Sequence, residues 1–583
     1  MVDAPDWTPS MLTNMRNSLT PFENALALGA VIFVLSFGAP QTKSSEMGFA
    51  PVYNVRDFGA VGDGKTIDTQ AINAAIRSCN QAGGGTVLFT PGEYVTGTFI
   101  LLSHVTLNLE AGAVIKGSTN LADYLPKSDF NAREFGGEGK KMGLILGINV
   151  EDVAITGRGV IDGRGTYFFN GPHRPDDYDP NATREGADFM SVKSIPWDGP
   201  LKPTMAWIDR PGALILFAGC KNVVVRDVTI RDAPNWTVDM NGADDVVISG
   251  IRILNNVLIP NNDGLNLEGK NIRISDSYIE TGDDAIAVYG ENVTASNCTL
   301  NSRSSAIRFA GKYSIFQNIV IRDSNRGIGI FWNADQVLFS NILIQTRLFN
   351  GSWWGKAEPI YISTGVNGSY GGVTETAEVK SVHFSNITIE SEAGILVSGQ
   401  TLGSIRDLTF DHLRIRLKGG PASSSVGGNF DLRATGIPVS GAIVRHDIPA
   451  LYFRNVEGLA ISGLEVEWAD PLPEYFSDAL YCDGFMDLTI DGFVGRQAPT
   501  SSARAALVLR DGNGLSVRNC LASPGTGTFL TMDQVTGLRS FLNNDLSSAE
   551  MALSPAQSRF EVSSGNGLGA DPRKAAPSNA TNP

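Results

Sequence analysis

The segment VVVRDVTI, at residues 223–230, recurs in variant form along the middle of the chain and decides the fold. The variants are VVISGIRI (246–253), IRISDSYI (272–279), VTASNCTL (293–300), SIFQNIVI (314–321), VLFSNILI (337–344) and VHFSNITI (382–389). Their polar or small position recurs at steps of 23, 26, 21, 21, 23 and 45 residues, the last step being two repeats. Each copy is rich in β-branched residues and too short to bury its apolar face alone, so the copies must stack. No recurring leucine pattern or repeated helix is present, so the period favours a parallel β-helix over a leucine-rich repeat.

A second column of residues supports the same register. Leu265, Ile286, Ile307 and Ile328 follow one another at steps of 21 residues. Alternate residues of a strand face the same side, so these four should stack inside the core on neighbouring strands. The residues before them, Gly264, Ala285, Ala306 and Gly327, are all small. We interpret them as an outward column that leaves the backbone open to a ligand, the alternative being close packing of a loop.

The ends of the chain differ from the repeats. Residues 68–79 have the pattern of an amphipathic helix, with Asp68 as a candidate N-cap, and should cover the open edge of the first coil. Residues 25–40 are an apolar run, shorter than the ~20 residues of a membrane span. We therefore predict a targeting segment at 1–48, export to the outside or periplasm without stable membrane insertion after processing, a β-helix domain at 49–546, and a disordered tail at 547–583. A retained membrane anchor is the alternative to export.

Composition excludes some partners. The net charge of -15 argues against nucleic acid, since the phosphate backbone favours Lys and Arg. It also gives no long-range attraction to a polyanion. The five cysteines are scattered without metal-binding spacing, and we expect buried free thiols.

Three carboxylates stand where consecutive coils begin. Asp263 lies in NNDGLNL, while Asp283 and Asp284 lie in TGDDAIAV, with Asp263 and Asp284 one 21-residue period apart. Clustered carboxylates repel one another, so one should hold a proton at neutral pH. A protonated and an ionised carboxyl side by side are the acid and base of glycoside hydrolysis. Hydrogen bonding to turn backbone and a Ca²⁺ site remain alternatives.

Several motifs resemble a known family. Four segments are similar to the pectin-lyase-like β-helix superfamily: VRDFGAVGDG (55–64), LNLEAGA (107–113), IDG (161–163) and Arg210-Pro211. Two further motifs resemble glycoside hydrolase family 28, namely NNDG (261–264) and GDDAIAV (282–288). The resemblance covers about residues 51–400. It implies hydrolysis with inversion, with Asp283 as general acid and Asp263 and Asp284 activating water. An inverting site needs about 6.5–9.5 Å between acid and base, which two coils can supply.

The chain also departs from the family. The family has a His in a GHG motif one period after Asp284, where this chain has Ser305. The RIK motif that binds a uronate carboxylate aligns with residues 329–331, which read Gly-Ile-Phe. These losses predict a substrate other than plain polygalacturonate.

Other residues near this face are candidates for substrate binding. They are Asn266, Ser305, Arg308, Arg326, Trp353, Trp354 and Glu358. Aromatic faces beside polar groups suit sugar recognition. The alternative for Arg326 and Glu358 is an ion pair that fixes the intervening loop, with the two tryptophans packed beneath it.

We therefore predict an all-β protein, a single-stranded right-handed parallel β-helix with an N-terminal capping helix. We expect an inverting glycoside hydrolase that acts on a plant or microbial polysaccharide or its oligosaccharides, without cofactor or metal. A Ca²⁺-dependent β-elimination lyase, with Arg308 as its base, and a non-catalytic glycan-binding β-helix are the alternatives.

Overall fold

The computed structural model describes residues 51–130, 140–168, 210–257, 259, 261–349, 356–364, 377–431, 443–445, 447–500, 503–555 and 559–568. The expected targeting segment at 1–48 lies outside these residues, as do Trp353 and Trp354.

Strands dominate the described residues. The N-terminal strands are short: β1 (Val52–Asn54), β2 (Asp63–Ile67), β3 (Gly85–Phe89), β4 (Gly92–Thr96), β5 (Phe99–Ile100), β6 (Val105–Leu109), β7 (Ala113–Gly117), β8 (Ile145–Ile148), β9 (Glu151–Gly157), β10 (Val160–Asp162), β11 (Ile215–Ala218), β12 (Lys221–Arg226), β13 (Thr229–Arg231), β14 (Val238–Asn241), β15 (Asp244–Ser249) and β16 (Arg252–Leu254). Several of the central strands are longer: β17 (Leu265–Ser275), β18 (Tyr278–Thr281), β19 (Ile286–Ser296), β20 (Thr299–Ser302), β21 (Ser305–Ser324), β22 (Arg326–Thr346), β23 (Ile360–Ser363), β24 (Val379–Ser391), β25 (Ile395–Ser398) and β26 (Ile405–Leu417).

The C-terminal strands are β27 (Asn429–Asp431), β28 (Ile443–Arg445), β29 (Leu451–Ser462), β30 (Glu465–Trp468), β31 (Leu480–Asp491), β32 (Val494–Gly495), β33 (Leu507–Arg518), β34 (Leu521–Ala522), β35 (Thr526–Leu542), β36 (Asp545–Leu546), β37 (Ala549–Ser554), β38 (Val562–Ser564) and β39 (Gly567–Leu568). The α-helices are α1 (Thr69–Gln81) and α2 (Ser423–Val426), and single 3₁₀ turns lie at Val55–Phe58, Leu121–Asp123, Lys127–Phe130 and Gly165–Phe168.

Strand pairing follows the repeat. Strand β10 pairs in parallel with β7 on one side and β13 on the other, and β11 likewise pairs with β8 and β14. Each strand therefore meets the equivalent strand of the coil before and the coil after. Among the described residues, 37 strands join in this way, while β27 and β28 form a separate antiparallel pair. The result is an all-β stack of parallel-strand coils.

The predicted register is confirmed. Leu265 pairs with Ile286, Ile286 with Ile307, and Ile307 with Ile328, and all four are fully buried in the main hydrophobic core. Further along, Phe316, Phe339, Phe384 and Phe410 stack ring on ring, with centroids 4.9–5.0 Å apart. This spacing matches the ~4.8 Å between paired strands, so identical side chains stack along the axis without adjustment.

The polar position of the repeated phrase bends the chain at each coil. Asn297, Asn318, Asn341 and Asn386 have φ of 54–56°, in the left-handed region that Asn, Asp and Gly tolerate best. Their amides also form a ladder, since Asn341 donates to Asn318 at 3.3 Å and Asn386 donates to Asn341 at 3.2 Å. The repeat therefore encodes both the bend and a side-chain hydrogen bond between successive coils.

The small-residue column lies inward, contrary to the prediction. Ala285 and Ala306 are fully buried in the main core, and a Cβ added to Gly264 would lie 2.6 Å from Ile279 Cγ2. The backbone of the next coil is equally close, since that Cβ would also lie 2.5 Å from the carbonyl oxygen of Ala285. These residues are small because the neighbouring coil packs against them.

Helix α1 packs on the first strands, as the amphipathic pattern predicted, and buries Ile72, Ala75 and Ile76. Asp68 occupies the N-cap position of this helix, as predicted, but its side chain makes no cap hydrogen bond with the helix. Its carboxylate instead accepts hydrogen bonds from the backbone N–H of Val61 (2.7 Å) and Gly62 (3.0 Å). Asp68 therefore ties the preceding loop to the start of the helix.

The disordered tail predicted from residue 547 is wrong for its first part. Strands β37, β38 and β39 continue the stack, with β37 and β38 paired to β35. Because many of their side chains are exposed, the composition of this segment did not indicate strands. A terminal strand can form by backbone hydrogen bonds to the edge of the coil beneath it. All five cysteines are buried with free thiols, as predicted. In the described parts of the chain, no helix has the length and apolarity to cross a membrane.

The asparagine ladder predicts an order of stabilities. Asn341→Gly removes two ladder hydrogen bonds but keeps the left-handed backbone accessible, and should cost about 1 kcal/mol. Asn341→Ala also places a Cβ in that backbone conformation and should cost about 1 kcal/mol more. Denaturant unfolding of both variants measures the difference. Equal losses would show that the bend is not under conformational constraint.

Candidate active site

The coil register brings the three predicted carboxylates together. Asp263 immediately precedes the turn into β17, and Asp283 and Asp284 precede the turn into β19, whose first residues pair with those of β17. The backbone N–H of Gly264 donates to the carbonyl of Asp284 at 2.9 Å, which joins the two corners directly. One carboxylate oxygen from each aspartate lies within 4.8 Å of the others, and all three residues are buried.

Asp284 has a donor at each of its two carboxylate oxygens. Its Oδ1 accepts a hydrogen bond from the backbone N–H of Ser305 at 2.9 Å, and its Oδ2 accepts one from Arg308 Nη1 at 3.0 Å. The Asp284 side chain is 1% exposed, and that of Arg308 is 17% exposed. The two contacts fix the orientation of the carboxylate, and the one from Arg308 is charge-assisted.

Asp283 has different surroundings. Its oxygens accept from the backbone N–H groups of Asp284 at 3.0 Å and Asn261 at 3.2 Å. Its own carbonyl accepts from the hydroxyls of Thr281 and Ser302, both at 2.6 Å, which fix the backbone at this corner. Burial and the charge of Asp284 raise the pKa of Asp283 to about 7, although Arg308 opposes the shift. Asp283 is therefore suited to hold a proton near neutral pH.

Asp263 is the least satisfied of the three. Its Oδ1 is buried and has no hydrogen-bond partner among the described residues. Burial, followed by the charges of Asp283 and Asp284, raises its pKa well above the ordinary value. The cluster thus combines a carboxylate that contacts a guanidinium with two whose environment favours protonation, and general acid–base catalysis can use such a difference between neighbouring carboxyl groups.

Aromatic side chains surround Arg308. The guanidinium lies over the Trp332 ring at 4.7 Å and the Phe331 ring at 5.2 Å, and Trp332 meets Tyr289 edge to face. Burial raises the pKa of Tyr289 to about 12. Trp332 is half-buried, so part of its ring remains on the surface beside the cluster. Tyr289 and Trp332 were not predicted, although the adjacent Phe331-Trp332 pair was a usable signal.

Two further predicted binding residues, Asn266 and Ser305, lie on different coils of the stack. Asn266 is half-buried and lies two coils before Arg308 in the same column, with Ala287 between them. Ser305 reaches the cluster through its backbone N–H, as described for Asp284.

Arg326 and Glu358 form the alternative arrangement, an ion pair. Arg326 Nη2 lies 3.6 Å from Glu358 Oε2, and the two side chains are 1% and 0% exposed. The Arg326 guanidinium also lies 4.2 Å from the Tyr361 ring centroid, and Glu358 accepts from the backbone N–H of Lys356 at 2.8 Å. This buried network fixes the chain where it re-enters the stack.

The three carboxylates have the chemistry of a hard-cation site. Oxygen donors suit Ca²⁺, which takes about 6–8 oxygen ligands. Both oxygens of Asp284, however, already accept hydrogen bonds, and Arg308 adds a positive charge beside them. Among the described residues, this donor set therefore fits a cation only in part.

A stack of parallel coils with three buried carboxylates at one corner defines a β-solenoid with a candidate acid–base site. Residues 197–303 match the family described as glycosyl hydrolases family 28, and residues 52–143 match the family of rhamnogalacturonase A/epimerase, pectate lyase-like proteins. These matches confirm the resemblance to glycoside hydrolase family 28. The first match contains Asp263, Asp283 and Asp284 and ends just before Ser305.

Individual relatives agree with the family match. A probable polygalacturonase of Vitis vinifera is 30% identical over 272 residues, which is 44% of this chain and 49% of that protein. An exo-poly-alpha-D-galacturonosidase of Dickeya chrysanthemi is 26% identical over 217 residues, 34% of this chain and 35% of that protein. The chain therefore spans half or less of the length of these curated relatives. The solved exopolygalacturonase of Thermotoga maritima is 20% identical, with a TM-score of 0.46, over 63% of this chain and 87% of that one.

The raised pKa of Asp283 predicts a pH-dependent stability. Between the ordinary aspartate value and about 7, the folded protein keeps a proton that the unfolded chain has released. Stability should therefore fall as the pH rises through this window, and Asp283→Asn should weaken the dependence. Melting temperatures at pH 5 and pH 8 measure it, with the exposed Asp533→Asn as control. An identical pH dependence in Asp283→Asn and the wild type would contradict the assignment.

Proposed function

We propose that this protein is an exported glycoside hydrolase that cleaves a polysaccharide, or oligosaccharides derived from one, with inversion of configuration. The observation that carries the proposal is the difference between neighbouring carboxylates. Asp284 is bound by Arg308 and a backbone amide, whereas burial and the Asp284 charge raise the pKa of Asp283 to about 7. Export is proposed from the apolar run at residues 25–40.

The roles follow from these environments and from the family resemblance. Asp283 donates its proton to the glycosidic oxygen as the leaving group departs. Asp284 accepts a proton from the attacking water, and Asp263, at the matching corner of the previous coil, helps to hold that water. The hydrolysis then transfers one proton to the leaving sugar and takes one from water, so the site must exchange a proton before the next turnover.

Inversion is proposed on the family resemblance and not on the spacing. One oxygen from each carboxylate lies within 4.8 Å of the others, which describes the nearest atoms and not the ~6.5–9.5 Å measured between the carboxyl groups of inverting enzymes. The anomeric form of the first product, read by proton NMR, decides the stereochemistry.

The finer architecture that we propose is a single-stranded right-handed β-helix with α1 as its cap. Parallel crossover connections are almost always right-handed, because of the twist of the strands that they join. Helix α1 packs over the first strands, where an uncovered edge would invite association with another chain. The substrate would lie across the coil corners at the carboxylates.

We propose a neutral or deoxy sugar at the cleavage point. The position that resembles the family's carboxylate-binding arginine is Gly329, and a Cβ there would lie 2.5 Å from the Phe331 ring. Phe331 in turn packs on Tyr361 at 5.0 Å, so an aromatic cluster fills the space of the missing cation. Each lost charge-assisted contact is worth about 1.5–3 kcal/mol to a uronate. The half-buried Trp332 offers a ring face to a less polar sugar.

A Ca²⁺-dependent lyase is the second candidate, because the three carboxylates could hold a cation beside Arg308. Elimination leaves an unsaturated sugar that absorbs ultraviolet light, whereas hydrolysis does not. EDTA should leave a hydrolase active. Loss of activity with recovery on adding Ca²⁺ would favour the lyase.

The proposal predicts a loss of catalysis in Asp283→Asn. The amide cannot donate the acid's proton, so the release of reducing ends should fall by several orders of magnitude, the upper range for loss of an acid or base. The measurement uses a panel of neutral and acidic plant polysaccharides, with Asp533→Asn as the matched control. Unchanged turnover by Asp283→Asn, with a normal melting temperature, would remove the general-acid role.

The same panel tests the substrate. We expect measurable cleavage of a neutral-sugar linkage and negligible hydrolysis of polygalacturonate. Rapid depolymerisation of polygalacturonate by the wild type would overturn the proposed substrate while leaving the hydrolase in place.

A further inference from the structure

In the proposed reaction, Asp283 acts as the general acid and the adjacent Asp284 acts as the general base. Asp283 and Asp284 are neighbours in the sequence, and both are buried, at 5% and 1% exposed. Of the two, Asp284 forms the ion pair with Arg308, at 3.0 Å. Asp283 instead contacts backbone amides, at Asp284 and Asn261. The contact with Arg308 therefore distinguishes the surroundings of the proposed base from those of the proposed acid.

The fold holds Arg308 in place from several sides. Arg308 lies on β21, paired with Ala287 on the coil before and Gly329 on the coil after. Neither neighbour has a long side chain, which leaves room for the guanidinium to reach Asp284. The rings of Trp332 and Phe331 lie against it at 4.7 and 5.2 Å. A guanidinium packed between rings and a carboxylate loses little further freedom when the substrate binds.

We propose that Arg308 is a positioning residue that holds the Asp284 carboxylate aimed at the attacking water, and that it does not receive the substrate. This inference rests on the proposed hydrolysis. Arg308 and the Ser305 amide bind opposite oxygens of Asp284, so the carboxylate plane is set by two donors. The role differs from the substrate contact that the sequence predicted for Arg308, because the guanidinium donates to Asp284.

The charged and titratable groups that face Arg308 come from each neighbouring element. Asp263 stands before β17, Asp283 and Asp284 stand before β19, and Tyr289 lies on β19. The other guanidinium at the Phe331 ring belongs to Arg326, and Glu358 is its ion-pair partner. Arg308 is thus the cation that faces three carboxylates in the described part of this site.

Removing Arg308 should move the alkaline limb of the pH profile upward. Burial and the other carboxylates raise the pKa of Asp263 and Asp283, and Arg308 opposes both shifts. Without it, the carboxyls of Asp263 and Asp283 hold their protons to a higher pH. The proposed acid, Asp283, then loses its proton later, so activity persists to a higher pH and the optimum rises.

The test compares Arg308→Ala and Arg308→Lys with the wild type on a neutral polysaccharide that the wild type cleaves. We expect kcat to fall about 100-fold in Arg308→Ala, the lower range for loss of a general base, with KM changed less than threefold. The pH optimum should rise by about one unit, a tenfold shift in proton affinity. Arg308→Lys, or millimolar guanidinium added to Arg308→Ala, should restore part of kcat and return the optimum toward the wild-type pH.

Arg414→Ala, which removes an exposed ion pair with Glu465, is the matched control and should change neither quantity. A substrate-binding arginine would raise KM and leave the pH optimum in place, and that result would overturn the inference. A fall in kcat with an unmoved optimum and no rescue would overturn it too. An inactive wild type would instead count against the proposed function, so the two failures are distinguishable.

Discussion

The parallel pairing of successive coils is the constraint on which the rest of the structure depends. Each strand of this stack hydrogen-bonds to the equivalent strand one coil away, so residues 21 positions apart become neighbours. The same rule builds the core, where Leu265 meets Ile286, and the site, where Asp263 meets Asp284. Because the pairing distance is about 4.8 Å, any carboxylate repeated at this period must face the charge of its copy. The negative charges of the three carboxylates must therefore be compensated. Raised carboxyl pKa values and the Arg308 guanidinium both reduce the net negative charge at the site.

Burial of these crowded carboxylates changes their protonation behaviour. In water, three carboxylates would all be ionised at neutral pH. In this corner, burial and mutual repulsion raise the pKa of Asp263 and Asp283, while Arg308 and the Ser305 amide donate to the two oxygens of Asp284. The rings of Trp332 and Phe331 lie against the Arg308 guanidinium, whose side chain is 17% exposed. One charge contact thereby gives the neighbouring aspartates different surroundings.

The sequence predicted what depends on period and left out what depends on side-chain geometry. The 21-residue step predicted the buried column of Leu265 to Ile328 and the meeting of the three aspartates, because pairing in a stack is a property of spacing alone. It misplaced Ala285 and Ala306 on the outer face, whereas both are buried in the main core. The composition of the C-terminal segment likewise did not predict strands β37–β39, which are stabilised by pairing with the coil beneath them. The contact of Arg308 with Asp284, and the rings of Trp332 and Tyr289 beside it, depend on rotamers that no period encodes.

The central claim is that this corner cleaves a glycosidic bond by adding water. Digestion of a susceptible polysaccharide in water labelled with heavy oxygen, followed by mass spectrometry of the products, tests it most directly. Hydrolysis by the proposed carboxylates predicts one labelled oxygen at each new reducing end, and none when Asp283→Asn replaces the wild type. Products that are unsaturated and unlabelled would show elimination, and would contradict the assignment of Asp283 and Asp284 as the acid and base of a hydrolase.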